Sequence, residues 1–151
     1  MEYVIIKTMH KDFYASGFLY HPLSQKILLQ QQSSLQGSSS WGLIEGSYIE
    51  NEETGTSFKK IIQNLLDIKI TIAYPVYSYI NESINKNQHV FYGVLKNLKN
   101  VSITNDPSFA WFSLKNITKM HMGEQIKHDI VVGQRVIEAA DRKSRGEHTF
   151  Q

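Results

Sequence analysis

Residues 41–68 read WGLIEGSYIENEETGTSFKKIIQNLLDI and carry the strongest folding signal in the chain. The apolar residues of its second half are Phe58, Ile61, Ile62, Leu65 and Leu66. Spacings of three and four residues place side chains on one face of an α-helix. We therefore predict an amphipathic helix from about Phe58, with a start capped by one of the hydroxyl residues just before it.

An acidic segment precedes this helix and holds the carboxylates Glu45, Glu50, Glu52 and Glu53. Carboxylate oxygens suit a hard cation such as Mg²⁺. They also stabilise a helix N-terminus through the helix dipole. The segment by itself favours the second role, so it predicts no metal site without further support.

Segments rich in Val, Ile, Tyr and Phe surround this helix and predict strands. The predicted strands are Tyr3–Lys7, Phe13–Tyr20, Lys26–Gln32, the long run Ile68–Tyr79 interrupted by Pro75, and His89–Leu95, with a short apolar piece at Trp111 and Phe112. The pair on either side of residues 21–24 is expected to form a hairpin, and residues 33–40 a surface loop. Pro75 predicts an edge strand or a bulge. Residues 125–142 predict a closing helix, although Gly133 weakens it.

The order of strands, helix, strands and helix shows no repeated βαβ rhythm. It predicts one α+β domain over residues 1–151, with a mixed or mostly antiparallel β-sheet. The 151 residues include 41% hydrophobic residues, enough for one core.

Composition excludes several kinds of function. The formal net charge is only +2, which argues against nucleic acid as the main ligand. The chain has no Cys, so thiolate metal sites, Cys nucleophiles and disulfides are ruled out. No apolar run is long enough for a membrane span, and we expect a cytoplasmic protein. The six His have no paired metal-ligand spacing, and no phosphate-loop or nucleophile-elbow motif is present.

The central stretch resembles the Nudix hydrolase (MutT-like) family. The family box is Gly-x5-Glu-x7-Arg-Glu-U-x-Glu-Glu-x-Gly-U, where U is a bulky aliphatic residue. Gly46 and Glu52 match its first two fixed positions, and Lys60 takes the place of the Arg. Ile62 and Ile68 fill the two aliphatic positions, and Trp41 stands upstream as in the family.

This resemblance implies a Nudix-like fold, a mixed sheet sandwiched between helices. It also implies hydrolysis of a nucleoside diphosphate linked to another moiety, with Mg²⁺ or Mn²⁺ as cofactor. On this basis Glu52 and Glu53 are the expected metal ligands, and both act with Lys60 as the expected catalytic residues. Gly46 is an expected substrate contact. Phe13 and Tyr14 are candidates to stack on a base, although strand aromatics are more often core or cross-strand pairs.

Three Glu positions of the box hold other residues. Ile61 follows the Arg position, and Asn64 and Leu65 replace the paired Glu. Ile and Leu cannot coordinate Mg²⁺, and a carboxamide is a much poorer ligand than a carboxylate. We therefore expect metal-dependent catalysis to be impaired or lost.

Three functional hypotheses remain open. The first is a domain that binds a nucleotide or nucleoside-diphosphate derivative without efficient hydrolysis. The second is an active pyrophosphohydrolase with relocated acids, in which Glu50, Glu52 and Glu53 bind Mg²⁺ and Glu124 or Asp129 acts as base. The third is an interaction module whose apolar face, including Ile61 and Leu65, packs on a partner such as a second copy of the chain.

Overall fold

The computed structural model describes residues 12–33, 39–49, 53–83, 85–97 and 106–146. The predicted strand Tyr3–Lys7 lies outside these residues, as do Glu50 and Glu52. The strands are Asp12–His21 (β1), Lys26–Ser33 (β2), Ser39–Gly42 (β3), Ile44–Ile49 (β4), Tyr74–Asn81 (β5), Lys86–Val94 (β6) and Phe109–Ser113 (β7). The α-helices are Thr54–Leu66 (α1) and Glu124–Ser144 (α2), and a 3-10 helix spans Leu114–Lys119.

All seven strands belong to one mixed sheet with β1 at its centre. The main order is β3-β2-β1-β6-β5, and β1 and β6 run parallel. The other edge of β1 is shared, because β4 pairs with residues 12–17 and β2 pairs with residues 19–21, both antiparallel. β2 in turn pairs with β7 and, near its end, with β3. The predicted β1–β2 hairpin is confirmed.

Each face of the sheet carries its own core, because side chains alternate along a strand. Phe13, Ala15 and Leu19 of β1 pack on the face of α1. Phe18 and Tyr20 pack on the opposite face, with Ile130 and Ile137 of α2. The sheet therefore lies between the two helices, as the resemblance to the Nudix fold implied.

The boundaries of several elements differ from the sequence-based expectation. α1 begins at Thr54 with Glu53 as its N-cap, so the hydroxyl residues expected to cap it lie inside the helix. Residues 67–73 are not a strand, and the β-rich run becomes extended only at Tyr74. Ser39 and Ser40, expected in a loop, begin β3. The expectation for Pro75 is confirmed, because β5 lies at the sheet edge and its register shifts between Pro75 and Tyr77.

Gly133 lets α2 approach the sheet closely. An ideal Cβ at this position would lie 2.9 Å from two ring atoms of Phe18, which is completely buried. That distance is shorter than a normal carbon–carbon contact. The glycine that weakened the helix prediction is therefore accounted for by packing.

Candidate ligand-binding site

The residues of α1 that we aligned with the Nudix box divide between the core and the surface. Ile61 is 4% exposed, whereas Leu65 is 44% exposed. Asn64 and Lys60 are also exposed. The apolar face proposed as an interaction surface is thus mostly interior, and Leu65 is its exposed part.

Ile61 packs directly against Gly46 of β4. A Cβ added to Gly46 would lie 2.9 Å from both Cγ1 and Cδ1 of Ile61. The two residues are therefore in close contact, and the space above the Gly46 backbone is filled by hydrocarbon.

The described acids do not form a metal centre beside α1. Glu53 is exposed at the N-cap, where its carbonyl accepts a hydrogen bond of 3.2 Å from Ser57 N–H. Its carboxylate makes no capping hydrogen bond. Within the parts of the chain that the structure describes, no three His, Cys, Asp or Glu side chains are grouped so that they could hold a metal ion. Glu53 alone of the expected ligands is described, and it has no second described carboxylate with which to hold Mg²⁺ or Mn²⁺; Glu52 lies outside the described residues.

A cleft of about 240 Å³ lies on the other face, between the sheet and the first turns of α2. Residues of β1, β2, β4, β5 and β6, of the β3–β4 connection and of α2 form its lining. The lining residues are Tyr14, Gln32, Leu43, Glu45, Tyr79, Asn81, Gln88, Gln125, Ile126 and Asp129. Tyr14, predicted as a stacking residue, lines this cleft, whereas its neighbour Phe13 is buried in the α1 core.

β4 connects the cleft with the box. Glu45 lines the cleft, and the next residue, Gly46, contacts Ile61 on the α1 side. Successive residues of a strand point to opposite faces, which explains this division. The expected substrate contact Gly46 therefore lies next to the cleft in sequence, but under α1.

The floor of the cleft is a chain of hydrogen bonds between neutral side chains. Gln88 of β6 is 6% exposed, and its Nε2 donates to Ser16 Oγ at 3.1 Å. Asn81 Nδ2 donates to Gln88 Oε1 at 2.8 Å. Satisfied amides of this kind hold a fixed geometry, because breaking one would leave a buried polar group unpaired.

Asp129 forms the wall on the α2 side and is 1% exposed. Tyr77 Oη donates to its Oδ1 at 2.5 Å, and Gln125 Nε2 donates to the same oxygen at 2.9 Å. Tyr79 Oη reaches Oδ2 at 3.5 Å. These contacts tie the start of α2 to β5.

The same environment changes the acidity of the groups around Asp129. Burial raises the pKa of Asp129, although its hydrogen bonds to Tyr77 and Gln125 oppose the shift. Burial and the nearby Asp129 carboxylate raise the pKa of Tyr79 to about 12, and they raise that of Tyr77 as well. Tyr77 and Tyr79 are therefore protonated donors at neutral pH. Desolvation also raises the pKa of Glu45 in β4.

Most of the cleft was not found from the sequence. The sequence predicts Asp129 only as one of two alternative general bases. Glu124, the other candidate, is exposed on the first turn of α2. Asp129 lies on the apolar face of α2, one residue before Ile130, and a carboxylate on an apolar face is a signal that was available. Gln32, Gln88 and Gln125 gave no such signal, because polar residues in isolated strands and at helix starts are common.

Comparison with known proteins identifies the fold. No family model matches the chain, and no curated protein matches it by sequence. A mutT/nudix family protein from Listeria innocua superposes with a TM-score of 0.66 at 13% identity, covering 85% of this chain and 94% of that one. The E. coli ORF135 protein gives 0.65 at 14% identity, covering 85% and 91%.

The NUDIX domain of Shewanella oneidensis NrtR, whose structure is a complex with ADP ribose, gives a TM-score of 0.60 at 15% identity. The match covers 83% of this chain and 86% of that domain. The chain thus has the Nudix fold, and its structural neighbours include proteins described as Nudix or MutT/Nudix. Neither described helix is long and apolar enough to cross a membrane.

Proposed function

We propose that this protein is a Nudix-family domain that binds a nucleotide derivative in the cleft beside α2, with metal-dependent hydrolysis impaired. The observation that carries the proposal is the contrast between the two faces of the sheet. Polar side chains converge on the cleft at the start of α2, whereas Ile61 fills the space over Gly46 on the α1 side. In this proposal the cleft binds a ligand, and the expected metal-binding position 61 holds an apolar side chain.

The class of ligand follows from the fold and the lining. A structural neighbour, the NUDIX domain of Shewanella NrtR, was determined with ADP ribose. In this chain the cleft combines the rings of Tyr14 and Tyr79, suited to stacking, with the half-buried amide of Gln32, which can pair with a base edge. A nucleotide derivative matches both features.

The retained box residues have a reduced role in this proposal. Glu52, Glu53 and Lys60 remain the expected catalytic residues if turnover survives, with the two Glu as the metal ligands. Without carboxylates at positions 61 and 65, α1 lacks the ligand density that two-metal phosphoryl chemistry uses. We expect weak Mg²⁺ or Mn²⁺ binding and little or no hydrolysis.

The binding proposal is tested by calorimetric titration of ADP-ribose into three proteins. Ile126→Trp fills the cleft with a large ring, because Ile126 lines it. Ile72→Trp makes the same change at a 48% exposed position outside the cleft lining. We expect binding to the wild type and to Ile72→Trp and none to Ile126→Trp. The absence of heat with millimolar ligand, or equal binding by both variants, would refute the proposal.

A second candidate is a pyrophosphohydrolase with relocated acids. It is favoured by the two carboxylates in the cleft lining, Glu45 and Asp129. Asp129 is buried and its pKa is raised, and such an acid can act in proton transfer. Turnover of ADP-ribose with Mg²⁺ or Mn²⁺ is the measurement. Turnover that disappears in the Glu52→Gln/Glu53→Gln protein would establish this function and overturn the impaired-catalysis proposal.

A further inference from the structure

The cleft has a one-sided charge balance. Its lining contains the carboxylates of Glu45 and Asp129, and none of its ten residues is Lys, Arg or His. A phosphate in this space would face two acids with no cation in the described lining, although Lys86 lies on the Tyr14 ring and His128 acts on Asp129 from outside the lining. Such an arrangement is costly in a partly desolvated site. The lining therefore suits an uncharged or positively charged group.

The two oxygens of the Asp129 carboxylate are unequally supplied with donors. Oδ1 accepts from Tyr77 at 2.5 Å and from Gln125 at 2.9 Å. Among the residues that the structure describes, Oδ2 accepts only from Tyr79, at 3.5 Å, the outer limit of a hydrogen bond. A carboxylate has about four acceptor sites. Oδ2 thus has capacity for a donor from a ligand, although the residue itself is 1% exposed.

The aromatic lining favours the same kind of ligand. The ring of Tyr14 already attracts a cation, because Lys86 Nζ lies 5.4 Å from its centroid. Tyr79 presents a second ring to the cleft. A cationic heterocycle binds the face of such a ring more favourably than a neutral heterocycle does.

The size of the cleft limits how much of a ligand it can enclose. Its volume of about 240 Å³ is below the roughly 300–1,000 Å³ typical of sites for drug-sized ligands. A nucleotide derivative would therefore place one end inside and leave the other outside.

We propose that the cleft prefers a cationic, N–H-donating base of a nucleotide derivative over the neutral form of that base. This inference rests on the proposed function and adds the charge of the group that the cleft takes. Asp129 Oδ2 accepts the N–H, and Glu45 contributes a second negative charge.

The test compares adenosine with 1-methyladenosine, which carries a positive charge at pH 7, by calorimetric titration at one ionic strength. Inorganic diphosphate serves as the phosphate-only probe. We expect 1-methyladenosine to bind about tenfold more tightly than adenosine, as one charge-assisted contact would provide. We expect no competition by diphosphate. Equal affinities for the two nucleosides, or displacement of adenosine by diphosphate, would overturn the inference.

Three variants assign this preference to the cleft. Asp129→Asn keeps the size of the side chain and removes its charge, and Glu45→Gln does the same at the other acid, away from the Asp129 network. Glu124→Gln is the matched control, because it removes an exposed carboxylate from the same end of α2, outside the cleft lining. We expect the preference to fall below about threefold in Asp129→Asn, to fall in part in Glu45→Gln and to persist in Glu124→Gln.

These outcomes separate the two proposals. If ADP-ribose binds in the cleft but charge has no effect on the base, the proposed function stands and this inference fails. If ADP-ribose fails to bind the wild type, the proposed function fails. A preference that is unchanged in both Glu45→Gln and folded Asp129→Asn would also overturn the inference. If Asp129→Asn does not fold, the Glu45→Gln result decides.

Discussion

Replacing Ile61 by Glu, the residue expected there from the resemblance to the Nudix box, should destabilise this protein strongly. Ile61 is 4% exposed and packs with Phe58 and Leu66 in the core between α1 and the sheet. Replacing it by Glu forfeits about 2 kcal/mol of hydrophobic burial. It also buries a carboxyl without a partner, at about 1–3 kcal/mol even when neutral. The sum is a large part of the stability of a small domain, about 5–15 kcal/mol.

The Ile61→Glu protein should also lose stability with rising pH. Burial disfavours the carboxylate, so the pKa of the introduced carboxyl in the folded state would lie above the unfolded value of about 4.3. Between these two values the unfolded state releases its proton first. The free energy of unfolding then falls by about 1.4 kcal/mol per pH unit relative to wild type.

Urea denaturation at pH 5 and pH 8 measures both effects. Ile61→Gln separates packing from charge, because it should be destabilised without the additional pH dependence. Leu65→Glu is the matched control on the same helix, and at 44% exposure it should cost less than about 1 kcal/mol. The reasoning is refuted if Ile61→Glu costs no more than Leu65→Glu, or if its pH dependence equals that of the wild type.

Three further predictions concern packing and titration. Gly133→Ala gains helix propensity of about 1 kcal/mol but forces its Cβ against Phe18, so we expect a net loss of about 1 kcal/mol in thermal unfolding; a higher melting temperature would contradict the packing argument. Burial raises the pKa of Asp129, so the wild type loses stability as pH rises above the unfolded pKa of about 3.9. Urea unfolding at pH 4 and 7 should show this loss in the wild type and not in Asp129→Asn. An equal change of the unfolding free energy with pH in both proteins would contradict the prediction. Burial lowers the pKa of His89, so the wild type should lose stability as pH falls below about 6.5. The His89→Gln protein should lack that loss between about pH 7.5 and 5.5. If both proteins lose the same stability over this range, His89 is not its cause.

Local patterns in the sequence were sufficient to predict the main elements. The apolar spacing from Phe58 predicts α1, the run from Gln125 predicts α2, and Pro75 marks the irregular edge strand. These properties depend on residues close together in the chain, because helical periodicity, strand alternation and proline geometry are local. The same stretch also carried the resemblance that led to the fold.

The cleft depended on contacts between residues far apart in sequence. Gln88 meets Ser16 across 72 positions, and Tyr77 meets Asp129 across 52. No local pattern specifies which polar residues of separate strands and a distant helix will face one another. Tertiary packing also determined that Ile61 is buried against Gly46 while Leu65 stays at the surface, although both belong to one apolar stripe. The sequence itself determined the helices, the strands and the apolar residues at positions 61 and 65, since each can be read from the chain alone. Only the tertiary structure decided where the remaining polar groups converge, because that depends on how the two helices pack on opposite faces of the sheet.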